Sequence, residues 1–553
     1  MRRAGVAVVA GMLALALAGC VGIPTAGGVN DGAIINDQDS PEFVPLPSDP
    51  IPGSSQQQIL IDFMQAVSAP QGGYSVAKKY LTTEFAQTWN PDASAIIRVG
   101  GLQIDQLDAR TVSYTISSRA SVNELGQYQE ERETSEQPLT FVFAQEKGEW
   151  RISQAADGIV LSQSAFNVAF REQALYFFDP SYAFLVPDVR WFPSRQTASN
   201  RVVTALLSGP SSWLQQAVTT AFPDATTLGE IAADASGTTV DLSTEALTST
   251  PQDRDRMRQQ LVATLGTPNV SLTVRGLELA TPDATGNRAV VNPTVDSAVL
   301  VGANGTAFGL DGGTGVTPIT GLSDQVVAAG ATAADLSSDR QSVAFLGAGG
   351  VVFVALAGDD KATVIDDRPD LTVPAVDPFR FIWSAQRSSA ASLATFDLSG
   401  DVHEIQSGLP ADASIVSMDV SRDGARLLLL LTTPVGPRLI VAGIIRQDNV
   451  PIKLGEPIEL PVGAEPPLDA TWVDNKTVAT VASDEAGALI TAFEIGGPSI
   501  SLGRVQGAVA IVGGNGGTDG LRVLASDGNV WRPRGSEGWV ATGITATFLA
   551  TKQ

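Results

Sequence analysis

Short apolar runs separated by turns dominate the second half of the chain. Between residues 296 and 553 these runs alternate with segments rich in Gly, Asp and Ser, a pattern typical of strand–turn–strand structure. Similar segments recur around Ser337, Ser384, Ser421 and Asp474, with spacings of 47, 37 and 53 residues. Because a four-stranded propeller blade takes about 40–50 residues, the pattern predicts a C-terminal all-β propeller of roughly five or six blades.

Residues 54–166 begin with two helical patterns and continue with strand-like alternation. The first apolar set follows the candidate caps Ser54 and Ser55, and the second follows Ser75. Strands come next, with a hairpin turn expected at Lys147–Glu149. Helices followed by an antiparallel sheet resemble the cone-shaped NTF2-like α+β fold.

Residues 167–295 mix helices and strands. Thr197 is a candidate cap for a helix that ends near Gly209, and a strand, a charged helix and a second strand follow. This order resembles the GerMN domain, a small α/β module first named from germination and sporulation proteins. The resemblance implies a non-catalytic, envelope-associated binding module. The residues that carry it are Leu207, Gly209, Pro210, Phe222, Pro223 and the segment Thr239–Ser243.

The N-terminus has the pattern of an export signal. An apolar run follows Arg2 and Arg3, and it is too short to span a bilayer core of roughly 30 Å. Residues 1–19 are therefore predicted to be a signal peptide. A plain secretory signal would be cleaved after a small residue near the end of this run. A bacterial lipobox fits better, because it is matched by Leu17, Ala18, Gly19 and Cys20.

The lipobox predicts cleavage between Gly19 and Cys20, with a diacylglyceryl thioether and an N-acyl group on Cys20. Removing 19 residues leaves 534. A single acyl chain binds a membrane only marginally, whereas two or more chains anchor a protein stably. Palmitate is expected among the chains on Cys20. Residues 20–53 are rich in Pro and are expected to form an extended, lipidated tether. The predicted location is the extracytoplasmic face of the cell membrane, with membrane lipid bound through Cys20.

Composition excludes several classes of function. The chain has 35 Lys and Arg against 59 Asp and Glu, a net charge of −24, which becomes −26 without Arg2 and Arg3. Such a surface repels phosphate backbones, so we expect no nucleic-acid partner. One Cys and one His allow neither an intrachain disulfide nor a closed His/Cys zinc site. We therefore expect no metal, cofactor or catalytic site.

Individual motifs support that expectation. Asp419–Gly424 resembles the start of an EF-hand loop, but its twelfth position is Leu430, and a propeller turn explains it better. Gly513–Gly517 lacks the Lys-Ser/Thr of a phosphate loop. His403 is expected in a blade strand, and Asp241 is expected at a strand end. Paired carboxylates can meet in three dimensions without any sequence signature, so spacing does not exclude them.

Several aromatic residues could either line a pocket or pack in a core. An NTF2-like cone can hold a catalytic pocket, and a propeller channel that binds glycans would expose aromatic rings. Core packing is the favoured interpretation for the candidates in the first domain and for at least two of those in the propeller. The candidates are Phe141, Phe143 and Trp150 in the first domain and Trp383, Trp472, Trp531 and Trp539 in the last.

Taken in this order, the lipobox, tether, NTF2-like unit, GerMN-like unit and propeller resemble the actinobacterial LpqB lipoprotein family over essentially the full length. The resemblance implies a non-enzymatic accessory of the MtrA–MtrB two-component system, which contacts the extracytoplasmic domain of the sensor histidine kinase MtrB and influences cell-wall metabolism and division. The alternative is an envelope glycan-binding protein, or a cell-wall hydrolase with paired carboxylates, that uses the propeller channel.

Overall fold

The computed structural model describes residues 47–195, 197–281, 288–295, 299–303, 306–312, 315–484, 486–514, 516–535 and 538–552. From Pro47 onward the described residues belong to one compact unit. Its helices are α1 (Gln56–Ala66), α2 (Phe85–Thr88), α3 (Gln163–Ala169), α4 (Ala198–Leu207), α5 (Pro251–Leu265) and α6 (Ser323–Ala328). Within the described residues, each of these helices is too short or too polar to cross a bilayer.

The first helical prediction is confirmed and the second is wrong. Ser55 caps α1, where its Oγ accepts a hydrogen bond from the Gln58 amide at 3.2 Å. After Ser75 the chain forms only a 3₁₀ turn over Ala77–Tyr80 before α2. Leu81 is extended and bridges to Ile152 of the neighbouring sheet, so the helix stops there.

The first sheet contains β1 (Ser94–Gln106), β2 (Thr111–Asn123), β3 (Tyr128–Glu146), β4 (Glu149–Gln154) and β5 (Ile159–Ser162). Its order is β4-β3-β2-β1-β5, antiparallel except for the β1–β5 pair. Lys147 and Gly148 form the predicted hairpin turn with φ of 56° and 83°, the combination that a type I′ turn requires. The sheet and α1 enclose a core that includes Phe141 and Phe143, while Trp150 packs at its edge.

The second region contains β6 (Phe170–Phe178), β7 (Phe184–Pro193), β8 (Leu228–Asp234), β9 (Gly237–Leu242), β10 (Val270–Val274), β11 (Leu277–Glu278) and β12 (Val290–Val291). Two sheets result, with the orders β12-β7-β6 and β11-β10-β9-β8. The predicted charged helix is α5, which Thr250 caps and which buries Met257 and Leu261. Thr197 precedes α4, but its side chain makes no capping hydrogen bond. The mixed α/β character predicted for this region is confirmed.

The remaining strands form the blades of a propeller. Blade 1 holds β16 (Ala333–Leu336), β17 (Ser342–Leu346), β18 (Val352–Leu356) and β19 (Thr363–Asp366). Blade 2 holds β20 (Ala375–Val376), β21 (Ile382–Ser384), β22 (Ala394–Phe396) and β23 (Val402–Glu404). Blade 3 holds β24 (Ser414–Val420), β25 (Arg426–Thr433), β26 (Gly436–Gln447) and β27 (Val450–Leu454), with β28 (Ile458–Leu460) beside β26.

Blade 4 holds β29 (Pro467–Trp472), β30 (Thr477–Asp484), β31 (Gly487–Glu494) and β32 (Ser499–Val505). Blade 5 holds β33 (Ala508–Val512), β34 (Arg522–Ala525), β35 (Asn529–Pro533) and β36 (Trp539–Thr545). Blade 6 combines the last strand, β37 (Phe548–Lys552), with three strands from the start of the region, β13 (Val299–Ala303), β14 (Ala307–Asp311) and β15 (Val316–Thr317).

The two ends of the propeller chain close the ring. Strand β37 pairs antiparallel with β13 and parallel with β16, where Asp335 lies opposite Thr551. The innermost strands β16, β20, β24, β29, β33 and β37 contact one another in sequence around the axis. The described residues therefore form six blades, which confirms the propeller and selects the upper of the two predicted counts.

One of the four positions on which the sequence repeat was aligned is wrong. Ser337, Ser421 and Asp474 follow the innermost strands of their blades, but Ser384 ends the second strand of blade 2. The equivalent position is near Asp377, and residues 335, 377 and 419 recur at a spacing of 42. The short β20 carries too few apolar residues to be recognised as an inner strand, so Ile382–Ser384 was the more visible signal.

Buried polar side chains connect neighbouring blades. The Asp335 carboxylate accepts a hydrogen bond from the Val376 amide at 2.7 Å, and this bond joins blades 1 and 2. The Asp419 carboxylate accepts a hydrogen bond from the Trp472 amide at 3.0 Å, and this bond joins blades 3 and 4. Since each amide would otherwise be an unsatisfied buried donor, these bonds hold the inner strands at a fixed distance.

Two Asp–Arg pairs in this ring differ mainly in burial. Asp377 pairs with Arg446 at 2.6 Å, and both side chains are at most 2% exposed. Asp339 pairs with Arg380 at 2.8 Å, with side chains 39% and 60% exposed. We expect Asp377→Asn to cost about 3–5 kcal/mol, because it leaves a buried guanidinium without its counter-charge. Asp339→Asn should cost less than about 1 kcal/mol.

Calorimetry of the full-length chain measures this difference. A clear fall in melting temperature for Asp377→Asn beside a small change for Asp339→Asn is expected. Equal shifts for the two variants would contradict the assignment of the buried pair as a blade-to-blade tie.

Candidate functional site

The predicted lipidation site lies outside the described residues, as do Leu17, Ala18, Gly19 and Cys20. Where the described chain begins, its backbone is held on the first domain. Tyr80 donates a hydrogen bond to the Ser48 carbonyl at 2.8 Å, and Lys79 pairs with Asp49 at 2.7 Å. The tether therefore enters the body at the 3₁₀ turn before α2.

The residues considered for catalysis serve local structure. Asp241 lies in β9, where its Oδ1 accepts hydrogen bonds from Thr273 Oγ1 at 2.6 Å and from the Gly276 amide at 2.8 Å. These bonds lower the pKa of Asp241, so it is suited to remain a carboxylate rather than to act as an acid. His403 lies in β23, and its ring meets the ring of Phe381 edge to face at 5.7 Å.

The Asp419–Gly424 motif spans the end of β24 and the turn that follows it. Ser421 Oγ donates to Asp423 Oδ1 at 2.6 Å, and Gly424 adopts φ of +68°. In the described residues no three His, Cys, Asp or Glu side chains are grouped to hold a metal ion. A Cβ on Gly513 would lie 1.8 Å from the Trp472 carbonyl oxygen, so this glycine allows blades 4 and 5 to approach.

Carboxylates do gather around the inner strands of the propeller. Burial, and then the charge of Asp419, raises the pKa of Asp335 well above its usual range. Burial raises the pKa of Asp419 to about 6, and the nearby Arg422 partly offsets this increase. Both residues are less than 10% exposed and accept hydrogen bonds from neighbouring strands. This pair is thus engaged in blade contacts and lacks the open approach that a hydrolytic pair needs.

The aromatic candidates in the propeller are also structural. Trp383 is buried and its indole donates to Asp377 at 3.2 Å. Trp472 donates to the Asp419 carbonyl at 3.2 Å, and Trp539 donates to the Leu502 carbonyl at 2.8 Å. Trp531 packs against the core between blades 4 and 5.

A continuous apolar core joins the second region to blades 3 and 4. One cluster of buried residues includes Val240, Met257 and Leu272 of the mixed α/β region together with Leu428 and Phe493 of the propeller. The backbones come close where the two parts meet. A Cβ on Gly443 would lie 2.7 Å from the Ala217 Cβ and 3.0 Å from the Trp213 carbonyl oxygen. We name this contact, between residues 174–279 and blades 3 and 4, the shared core.

Polar contacts surround the shared core. Trp191 donates from its indole to the Gly496 carbonyl at 2.9 Å. Lys476 of blade 4 pairs with Glu172 and, at 3.4 Å, with Glu494. Burial and the charge of Glu172 raise the pKa of Glu494 to about 7. These groups couple the orientation of β6 and β7 to blade 4.

The first domain also reaches the propeller, through β3. Glu130 accepts hydrogen bonds from the Ser499 amide at 2.9 Å and from its hydroxyl at 3.0 Å. Arg132 pairs with Glu459 at 2.9 Å and donates to the Pro437 carbonyl at 2.8 Å. All three domains therefore meet at one place.

A cavity of about 450 Å³ lies at this meeting point. Its walls come from the β2–β3 hairpin, from the segments around Asp188 and Trp213, and from residues 456–461 and 495–497 of the propeller. A buried ion pair supports one wall, because Arg190 holds Asp188 at 2.7 Å. We name this feature the junction cavity, and it is the candidate binding site.

No motif in the sequence predicts this site. Its lining residues are ordinary Ser, Gln, Glu, Pro and Trp from segments more than 300 residues apart, and no short motif marks them. The only available signal was composition: the Gly-Glu-Pro-Ile-Glu-Leu-Pro segment at 455–461 is unusually Pro- and Glu-rich for a connection between strands.

The fold defines a multidomain protein in which a mixed α/β module is fused to a six-bladed propeller. Sequence profiles of known families match the same parts. They are described as "Lipoprotein LpqB, N-terminal domain" at residues 49–167, "Sporulation and spore germination" at 174–280 and "Lipoprotein LpqB beta-propeller domain" at 306–546. The chain belongs to the LpqB lipoprotein family.

Two curated relatives illustrate the range of similarity. Lipoprotein LpqB of Cutibacterium acnes is 31% identical over 287 residues, which are 50% of this chain and 48% of the relative. Lipoprotein LpqB of Streptomyces coelicolor is 26% identical over 494 residues, with 78% of each chain covered. The chain thus aligns with about half the length of the first relative.

A crystal structure of a nidogen/laminin complex matches 46% of this chain and 98% of the matched chain, at 11% identity and a TM-score of 0.32. The fold described above rests on the strand pairing of this chain itself.

The raised pKa of Asp419 predicts how stability changes with pH. An unfolded Asp titrates near 3.9, so between about pH 4 and pH 6 the folded chain holds a proton that the unfolded chain has lost. Stability should therefore decline as pH rises through this window, by on the order of 2–3 kcal/mol from this group. Asp419→Asn cannot titrate and should reduce the decline.

The matched control is Asp484→Asn. A hydrogen bond from Arg504 lowers the pKa of Asp484, so its contribution is lost only below about pH 4 and the control should keep the wild-type slope. Urea midpoints at pH 4.5, 5.5, 6.5 and 7.5 give the comparison. An unchanged slope in Asp419→Asn would refute the account.

Proposed function

We propose that this protein is a lipid-anchored, extracytoplasmic accessory of a two-component sensor kinase of the MtrB type, and that it acts by binding rather than by catalysis. Its family name supports the lipoprotein character, and Leu17–Cys20 supply the acceptor for the lipid. The regulated processes would be cell-wall metabolism and division.

The shared core is the observation that carries the proposal. Because the mixed α/β region and the propeller bury one continuous cluster, a partner held by one of them has a fixed orientation relative to the other. A rigid body of this kind can bind one conformation of a kinase ectodomain better than another. Such a difference in affinity is what shifts a conformational equilibrium.

The roles of the polar residues agree with binding. Asp335 and Asp419 tie blades together, and Asp241 ties two strands together, so these candidate acids serve the scaffold. The strongly acidic surface favours a basic patch on the partner and would accelerate the encounter at low salt.

The tether sets the reach of the body. From Cys20 to Pro47 the chain runs 27 residues, which cannot exceed about 95 Å when fully extended. An anchored body with this reach can contact a membrane-embedded kinase on its extracytoplasmic side.

Two linked measurements test the proposal. In cells, Cys20→Ser should move the protein out of the membrane fraction and abolish its crosslink to the kinase ectodomain, whereas Thr25→Ser in the tether should preserve both. With purified components, the full-length Cys20→Ser chain should still bind the purified ectodomain, because the body is intact. Absence of direct binding at low and moderate salt, with folded partners, would overturn the proposal.

A further inference from the structure

We infer that Glu172, Lys476 and Glu494 form a proton-sensitive latch, which holds the mixed α/β region on blade 4 more tightly when the three groups carry one extra proton. The latch lies at the rim of the shared core, whose apolar side chains do not titrate. This inference concerns the chain alone and does not depend on the kinase.

The latch crosses the boundary between two domains. Glu172 belongs to β6 of the mixed α/β region, whereas Lys476 precedes β30 and Glu494 ends β31 in blade 4. The Lys476 ammonium donates to a carboxylate oxygen of Glu172 and, at 3.4 Å, to one of Glu494. The side chains of Glu172, Lys476 and Glu494 are 32%, 28% and 17% exposed. Two carboxylates therefore share one cation where little water reaches them.

This arrangement has one negative charge in excess when both carboxylates are ionised. Like charges repel more strongly in a partly buried place, because water screens them less. Burial, and then the charge of Glu172, raises the pKa of Glu494 to about 7, and a hydrogen bond between the two carboxyl groups adds to the increase. A proton shared by this pair removes the excess charge and lets one carboxyl group donate to the other.

The charged neighbours in the propeller and the first domain keep their charge state near neutral pH. Burial lowers the pKa of Lys476, but its hydrogen bond to Glu172 outweighs burial and raises the pKa overall, so the ammonium stays charged. Burial, and then the charge of Glu130, raises the pKa of Tyr128, so this phenol stays neutral. Glu130 itself pairs with Arg119 at 3.2 Å.

The neighbours on β6 and β7 are uncharged or already paired. Trp191 lies opposite Glu172 in the β6–β7 ladder and carries no charge. Arg190 pairs with Asp188 at 2.7 Å, and Arg171 donates to backbone carbonyls of α3. The change of charge between about pH 5 and pH 8 at this boundary therefore belongs to the two latch carboxylates.

The latch is joined to a turn that contacts both other domains. This turn links β31 to β32 and includes residues 495–498. The Gly496 carbonyl accepts a hydrogen bond from the Trp191 indole at 2.9 Å. Directly after the turn, the Ser499 amide donates to Glu130 of the first domain at 2.9 Å.

The carboxyl group of Glu494 packs directly against this turn. A Cβ on Gly497 would lie 2.2 Å from a Glu494 carboxylate oxygen, so only glycine leaves room for the carboxyl group in this position. Because the two are in contact, repulsion that displaces the carboxylate also displaces the turn. The charge of Glu494 thus acts on contacts with both neighbouring domains.

The direction of the effect follows from where the proton binds. In an opened latch Glu494 is solvated and titrates near 4.3, as an exposed Glu does, whereas in the closed latch its pKa is about 7. Closure is therefore favoured at low pH and weakens as pH rises from about 4.5 to 7. Between pH 5.5 and pH 8.0 the opening constant should rise roughly 10–30-fold, since one pKa unit is a factor of ten.

Hydrogen exchange followed by mass spectrometry tests this on the full-length Cys20→Ser chain. Exchange at pH 5.5 and 8.0, corrected for the intrinsic rate at each pH, measures opening of the β31–β32 turn and of β6. A local measurement is required because burial also raises the pKa values of Asp419 and Asp469 in the inner strands, which changes global stability in the same direction.

Two variants isolate the latch. Glu494→Gln keeps the shape of the protonated carboxyl group and carries no charge, so its turn should stay closed at both pH values. Glu172→Gln removes the like charge and leaves one carboxylate for one ammonium, so it should also reduce the pH dependence. Protection of β25 (Arg426–Thr433) in the same data shows that each variant is folded.

The matched control is Glu459→Gln. Glu459 also lies at a domain boundary, but Arg132 at 2.9 Å and Arg438 at 2.8 Å already balance its charge. This variant should keep the wild-type pH dependence at the turn. Equal opening of the wild type at both pH values, wild-type pH dependence in Glu494→Gln, or its loss in Glu459→Gln would each overturn the inference.

Discussion

The burial of one apolar cluster across a domain boundary is the constraint on which the rest of this structure depends. Strand β25 shows how it arises. Leu428 and Leu430 face the cluster shared with the mixed α/β region, while Leu427, Leu429 and Leu431 face the core between blades 2 and 3. Because side chains alternate along a strand, five consecutive leucines can be buried only if both faces are covered. Gly443 then permits the close backbone contact that completes the boundary.

The other parts of the molecule use polar groups to hold what this core brings together. Inside the ring, Asp335 and Asp419 bond to amides of adjacent blades, so burial of a carboxylate is offset by satisfaction of a buried donor. At the boundary, Glu130 and Lys476 connect blade 4 to the first and second domains. The junction cavity lies where the contacts of the three domains converge.

Sequence patterns predicted the elements much better than their meeting points. The cap Ser55, the Lys147–Gly148 turn and the Met257 helix face depend on neighbours within a few residues, so local rules recover them. The helix wrongly predicted after Ser75 and the wrong placement of Ser384 in the repeat both arise because local pattern does not decide these positions. Leu81 forms a bridge with Ile152, 71 residues away. Strand β20 has only two residues, so the Ile382–Ser384 strand gives the clearer pattern.

The candidate site could not be predicted for the same reason. Tyr128 is one of several buried tyrosines in its domain, and nothing around it in sequence indicates that Trp213 and Glu456 lie across a cavity from it. Only the lipobox is a site that a short motif defines, because a peptidase reads it as a linear segment. A site built from three domains is visible only once the shared core has fixed their arrangement.

Native-state hydrogen exchange in increasing urea tests the shared core most directly. If the two parts form one cooperative unit, the slowest amides of β9 (Gly237–Leu242) and β25 (Arg426–Thr433) should converge on the same opening free energy and the same urea dependence. If β9 instead opens at lower free energy with a smaller urea dependence while β25 stays protected, the two parts unfold separately and the shared core does not hold them as one body.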